Sequence, residues 1–291
     1  MTTQDRPVVC VSYLASAELW SVPEFPFANH GAEVRVTEQS IAADGPMTAA
    51  VLAALDVPTL LVANRIGNDE AGGRVGRWLQ QRAVPTTAVA SAEVSTPRIV
   101  VVADDHNTRT WFAHLSGVAN ELTNVDLSAL SAAAFVYLDA YQLIEAAALR
   151  VVRAARNHGA RLLVNLGGTP LSDTLRVELA GYANLLIQTN VDDSSHRDAP
   201  IVARKLLGQT CAQWVIVTAG AFGALAASRS QLVTAPPSGS RCVTRIALER
   251  HSPAACSTAC APVSPWTAVC CSARPVGRCG AHGSTAPHCR R

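Results

Sequence analysis

Five short, unbroken apolar runs, at 8–11, 59–62, 135–138, 161–164 and 214–217, narrow the fold more than any other feature of the sequence. Runs of that length without polar alternation suit strands covered on both faces, the situation of a parallel sheet. Between them lie segments with helical spacing, at 47–55, 71–82, 143–158, 173–179 and 200–207. The triplet Asn157-His158-Gly159 reads as a helix stop, glycine taking the left-handed backbone just past the last turn. The order strand–helix–strand, sustained from residue 7 to about 234, predicts a layered α/β domain with helices on both faces of a mostly parallel sheet.

Two segments break that rhythm. Residues 32–40 and 98–112 alternate apolar and polar side chains, as half-exposed strands do, with Val34, Val36, Ile99 and Val101 facing one way. They form a small separate sheet or extend the main one, and the pattern favours neither. After Pro236-Pro237-Ser238-Gly239-Ser240 the character changes, and 241–291 shows no sustained period of either kind. The expected division is a domain over 1–240 and a Cys/Pro/Arg-rich, disordered tail over 241–291.

Composition removes several function classes. With 49% apolar and 16% charged residues and a net charge of +2, nothing argues for a nucleic acid or other polyanionic partner. No apolar run approaches the ~18–20 residues of a membrane helix. The N-terminus lacks the basic and apolar regions of a signal peptide, so the expected location is the cytoplasm. Cysteine is uneven: only Cys10 and Cys211 precede residue 240, whereas Cys242, Cys256, Cys260, Cys270, Cys271, Cys279 and Cys289 follow it.

The stretch Val62-Ala63-Asn64-Arg65-Ile66-Gly67-Asn68-Asp69-Glu70-Ala71-Gly72 ends a strand, turns on glycine and places acidic residues at a helix start. By itself it is an ordinary strand-to-helix loop with favourable N-terminal charge. Three other stretches accompany it: Thr96 with a strand and Asp104 to Arg109, then Asn190-Val191-Asp192-Asp193, then Val217-Thr218-Ala219-Gly220-Ala221-Phe222-Gly223. Together, and in this order, they resemble the ribokinase (PfkB) family. That family reads V-G-x-V-G-x-D-x-x-G, a threonine before a hairpin, N-x-x-E and V-T-x-G-x-x-G.

The resemblance implies a three-layer α/β/α domain with a small β lid, formed here by strands within about 10–40 and 96–113. It also implies ATP and Mg²⁺ as cofactors and a sugar or nucleoside as the phosphoryl acceptor. A homodimer through the lid is a further implication. Carried over by position, Asn190, Asp193, Thr218, Gly220 and Gly223 hold the nucleotide, with Asp193 organising the metal through waters. Glu18, Asp44, Gly45, Asn107 and Arg109 are the implied acceptor-site residues, and His106 and His114 are strand residues that face solvent or the acceptor.

Departures are equally informative. Glu18 stands for a family aspartate. The family's G-G-x-x-x-N loop becomes Asp44-Gly45-Pro46-Met47-Thr48-Ala49, with Asp44 for the first glycine and Ala49 for the asparagine. The family's D-T-x-G-A-G-D, where glycines at a helix start bind anions and the last aspartate is the base, is absent from residues 226–291. No catalytic residue is therefore assigned.

The tail has three readings. A zinc module fails on spacing, since no C-x-x-C pair occurs. A disulfide scaffold conflicts with a reducing compartment. The third is a frameshift. If each codon is re-read as its last base plus the next two, Trp266-Thr267 must encode aspartate, and 256–272 can read L-H-G-L-R-A-G-L-P-L-D-R-G-L-L-L. Residues 246–252 can read C-A-G-A-A-F, but Glu249-Arg250 cannot give the aspartate.

Overall fold

The structure is a computed structural model and describes residues 6–106 and 108–237. An eight-stranded sheet runs in the order β14-β13-β12-β11-β10-β9-β1-β4. Its parallel strands are β1 (Val8–Val11), β4 (Thr59–Val62), β9 (Phe135–Asp139), β10 (Arg161–Asn165), β11 (Leu185–Asn190) and β12 (Trp214–Thr218). The hairpin β13 (Ala224–Ala227) and β14 (Leu232–Ala235) closes one edge antiparallel.

A separate four-stranded sheet, ordered β3-β2-β7-β8, settles the question left open by the alternating segments. It comprises β2 (Ala15–Ser21), β3 (Val36–Ala42), β7 (Arg98–Ala103) and β8 (Arg109–His114). A two-residue pair, β5 (Ile66–Gly67) with β6 (Ala90–Ser91), lies between the sheets in the chain.

The parallel strands are buried on both sides because successive side chains point to opposite faces. Val9, Val11, Val136, Leu138, Leu162, Val164, Leu185 and Ile187 share one cluster with α4 (Glu145–Asn157), α5 (Asp173–Leu179) and α6 (Ala199–Gln209). Cys10, Leu61, Tyr137, Leu163 and Ile216 form another, with α1 (Asp44–Ala54) and α2 (Glu70–Gln81). A helix stop at 157–159 is realised by Gly159 at φ 65°. The three-layer α/β/α architecture is thus as the sequence predicts.

Three details differ from the sequence reading. β11 escapes a search for apolar runs because its second half, Gln188-Thr189-Asn190, is polar. The short helix α3 (Val118–Asn124) was not anticipated either, since only Val118 and Leu122 are buried along it. Lastly, Val34, Val36, Ile99 and Val101 do not make one covered face. Ile99 is 5% exposed but Val36 is 50% exposed, because β3 is a lid edge whose base alone, at Ile41, reaches the body.

Candidate active site

Ligands of open α/β sheets lie outside the carboxyl ends of the parallel strands. Here that edge carries a row of polar side chains. Ser12 follows β1, Asp139 ends β9, Asn165 ends β10 in register with Asp139, and Gln188 on β11 is in register with Asn165. All four are buried. The N-terminus of α1 meets this row.

Asp139 is its centre. The Ser12 hydroxyl (2.6 Å) and the Gly45 N–H (2.8 Å) donate to Oδ2, while the Tyr137 hydroxyl (2.8 Å) and Asn165 Nδ2 (2.9 Å) donate to Oδ1. Asn165 Nδ2 also donates to Asp44 Oδ2 at 2.8 Å, and the Tyr141 hydroxyl donates to the same oxygen at 2.7 Å. Burial, and then the nearby Asp44 charge, push the Asp139 carboxyl above the usual carboxylate range, against the lowering effect of the Ser12, Tyr137 and Asn165 hydrogen bonds. Burial, then the Asp139 and Asp44 charges, raise the Tyr137 and Tyr141 hydroxyls, which stay neutral donors. Gly45 is required for this close approach, since a Cβ there would run into the Ser12 side chain. Asn64 braces the floor by accepting from Leu14 N–H at 2.8 Å and donating to Leu14 O at 3.1 Å.

A second cluster lies at the ends of β11 and β12. The Val191 N–H donates to Thr218 O at 2.9 Å, joining the two loops. Asp193 Oδ1 accepts from Ala221 N–H at 3.3 Å, and Gly220, at φ 49°, leaves the space that this carboxylate fills. Asn190 packs over Gly168 in the same way. Gly223, at φ 87°, would place a Cβ into the Ala235 carbonyl. His196 stacks on Phe222 at 3.7 Å between ring centres, beside Asp193 and Gly220. The turn is closed on itself: the Ala219, Phe222 and Gly223 N–H groups donate to the Gly223, Ala219 and Gly220 carbonyls, and the Ala221 N–H to Asp193, the carboxylate of this cluster. Among the described residues no group of three or more His, Cys, Asp or Glu could hold a metal directly.

The structure therefore gathers Asp44 and Gly45 at one cluster and Asn190, Asp193, Thr218, Gly220 and Gly223 at the other. It does not bring Glu18 to either. On β2 the residues Ala15 and Ala17 share the lid face of Ile99 and Val101, which packs with Tyr141 and Ala43. Glu18 points from the opposite face and accepts from Trp20 Nε1 at 3.3 Å. Arg109 begins β8 opposite Ala103, at the far end of the lid. His114 is exposed on β8, and Asn107 lies outside the described residues. In the α1 loop the left-handed backbone falls at Ala43 (φ 83°), and it is Thr48 that sits beside Tyr137, whereas Ala49 is buried in the apolar cluster.

Sequence reasoning missed Ser12, Tyr137, Asp139, Tyr141 and Asn165. A usable signal existed: Asp139 and Asn165 are the polar residues that terminate apolar runs, and in a parallel sheet those ends converge. The strand-to-helix loop is structural, as its composition alone suggests. Asp69 caps α2 by accepting from Gly72 N–H at 2.8 Å and is also bonded by the Thr96 hydroxyl at 2.7 Å.

No curated protein matches the chain. Among solved structures, a ribokinase from Giardia lamblia is 14% identical, with 79% of this chain and 76% of that one aligned at a TM-score of 0.61. A nucleoside kinase from Methanocaldococcus jannaschii is 16% identical over 80% and 77% of the two chains, with a TM-score of 0.61. Ribokinase from Arabidopsis thaliana, solved with ribose and ATP, is 17% identical over 79% and 78%, with a TM-score of 0.59. These likenesses establish the fold. Residues 10–243 match the pfkB family carbohydrate kinases, a span that takes in both polar clusters and the lid, and the chain belongs to that family.

Proposed function

We propose that this chain is a sugar or nucleoside kinase homologue that binds its acceptor at the Asp44–Asp139–Asn165 row and ATP with Mg²⁺ at Asn190, Asp193, Thr218 and Gly220, and that phosphoryl transfer is impaired. The observation that carries the reading is the placement of two complementary clusters along one carboxyl edge of the sheet, within a family match. One is rich in hydroxyl-binding groups, and the other joins the Asp193 carboxylate to a glycine turn. ATP supplies the transferable phosphoryl group, and Mg²⁺ offsets its charge. The chain's own part is positioning: Asp44 and Asn165 orient an acceptor hydroxyl, and the left-handed Gly220 and Gly223 shape the turn that holds Asp193 toward the phosphates.

Impairment follows from the sequence. With no D-T-x-G-A-G-D in residues 226–291, the chain has neither the family's base nor its anion-binding helix start. Each such loss removes roughly 10²–10⁴ in rate. The same absence favours a second reading, a non-catalytic protein that holds a sugar, nucleoside or nucleotide. ATP turnover with a panel of sugars and nucleosides, run beside calorimetric binding, tests both. Binding without sustained product supports impairment, and turnover near the roughly 1–100 s⁻¹ of working kinases overturns it.

The division at about residue 240 gains support from the end of the family match at 243. The tail readings lie outside the described residues; sequencing the coding DNA over codons 226–291 decides the frameshift. A lid-to-lid homodimer is supported by Val36 and Trp111, which are exposed on one face of the lid sheet, and analytical ultracentrifugation tests it. No helix among the described residues is long and apolar enough to cross a membrane; a cytoplasmic location remains part of the proposal.

A further inference from the structure

We infer that the acceptor site selects a ligand bearing an amino group, a cationic amino sugar or aminated nucleoside rather than a neutral or acidic one. The inference rests on the functional reading above and concerns the same row.

Three observations carry it. First, Asp44 stands where the family resemblance implies glycine, so this chain adds a carboxylate to a site already built around Asp139. Its Oδ2 is occupied by Tyr141 and Asn165, while its Oδ1 has no donor among the described residues. Asp44 is exposed at the mouth of the row, so that free oxygen is open to an incoming group.

Second, neither carboxylate has a cationic partner among the described residues. Every donor to Asp44 and Asp139 is a neutral hydroxyl, amide or backbone N–H, and the ion pairs among the described residues all involve other acids. Two acidic groups joined through one asparagine leave negative charge that no cation among the described residues neutralises. An ammonium would do so, and a carboxylate or phosphate on the ligand would be repelled.

Third, and independently, Gln188 is 7% exposed and its Oε1 has no hydrogen-bond partner among the described residues. Its register with Asn165 puts it on the same face of the sheet as the row. A buried amide oxygen without a donor is costly. The unfilled positions at this edge are Asp44 Oδ1 and Gln188 Oε1, both acceptors, and the Thr48 hydroxyl beside Tyr137, which accepts as well as donates. A ligand that completes them must bring donors, and an ammonium has three and accepts none.

The test uses the full chain and measures binding, because turnover is not needed for it. Isothermal titration compares matched trios of pentoses and hexoses that differ at one position, carrying hydroxyl, amine or carboxylate. The expected order is amine, then hydroxyl, then carboxylate, with the amine about ten- to a hundred-fold tighter than the hydroxyl. The advantage should shrink with added salt and vanish in Asp44→Asn. Asp44→Gly, which removes the side chain entirely, serves as the second variant should the first fold poorly. Equal binding of amine and hydroxyl members, or an amine preference that survives both variants, overturns the inference while leaving a carbohydrate site intact. No binding by any member overturns the inference together with the functional reading beneath it.

Discussion

Leu185 and Leu186 are neighbours in sequence and belong to different worlds. Leu185 is fully buried in the cluster built with α4, α5 and α6, while Leu186 is only partly buried on the face shared with α1 and α2. The comparison extends to the whole sheet. One face carries helices from β9 across to β13, and α1 on the other packs on β4, β1 and β9. The first face is finished within the described residues. The second, where the resemblance places the anion-binding helix and its successors, depends on sequence that no longer follows the family. A fold of this kind can thus be complete in one half of its core and dependent in the other, and stability measurements should tell the halves apart.

The largest effects are expected on the finished face. Leu185→Ala should cost about 3 kcal/mol, against about 1 kcal/mol for Leu186→Ala, read from urea unfolding. Equal costs would mean that the second face is as well packed as the first. Apolar surface left on that face should also make the chain bind hydrophobic dyes and melt irreversibly; a sharp, reversible melt of a monodisperse protein would contradict this.

Next comes the polar row. Asp139→Ala leaves the Ser12, Gly45, Tyr137 and Asn165 donors without their acceptor and should cost about 2–3 kcal/mol near pH 5. Its pH signature has a definite sign. Because the folded carboxyl is raised to about 6, its contribution is full below the ordinary carboxylate range and is lost as pH climbs through about 6. Asp139→Asn should flatten that decline.

Asp69 behaves oppositely. Burial pushes its carboxyl up, but the Thr96 hydroxyl, the Thr96 and Gly72 N–H groups and Arg98 outweigh it and hold the group at about 2. Its stabilisation is therefore present above the ordinary carboxylate value and is lost as pH falls toward about 2. Asp69→Asn, which keeps a capping side chain, should cost about 1 kcal/mol at neutral pH. The smallest effect belongs to the exposed Arg176–Asp173 pair, where Arg176→Ala should stay within about 0.5 kcal/mol.

The sequence made the layers legible because burial on both faces leaves apolar runs, and it made the lid legible because half-exposure leaves alternation. The polar row was hidden for a physical reason. Ser12 and Asp139 are hydrogen-bonded across 127 residues, and only the strand order β9-β1 makes them neighbours. Glu18 shows a finer limit: in a strand, one residue of offset reverses the face, so Ala17 rather than Glu18 looks toward Tyr141's side of the lid. Asp44, by contrast, stands out in the sequence as a charge in a glycine's place, and the structure bonds it to Asn165 and Tyr141.

One junction ties these parts together. The lid strand β3 ends at Ala42, α1 begins at Asp44, and Ala43 between them holds a backbone at φ 83° that alanine rarely adopts. Lid and helix thus meet through a single-residue joint with little slack. Any swing of the lid about that joint turns the first peptide of α1, and the Asp44 carboxylate swings with it. On the proposed reading, closing over an acceptor and gripping it are one geared motion, with Ala43 as the pivot.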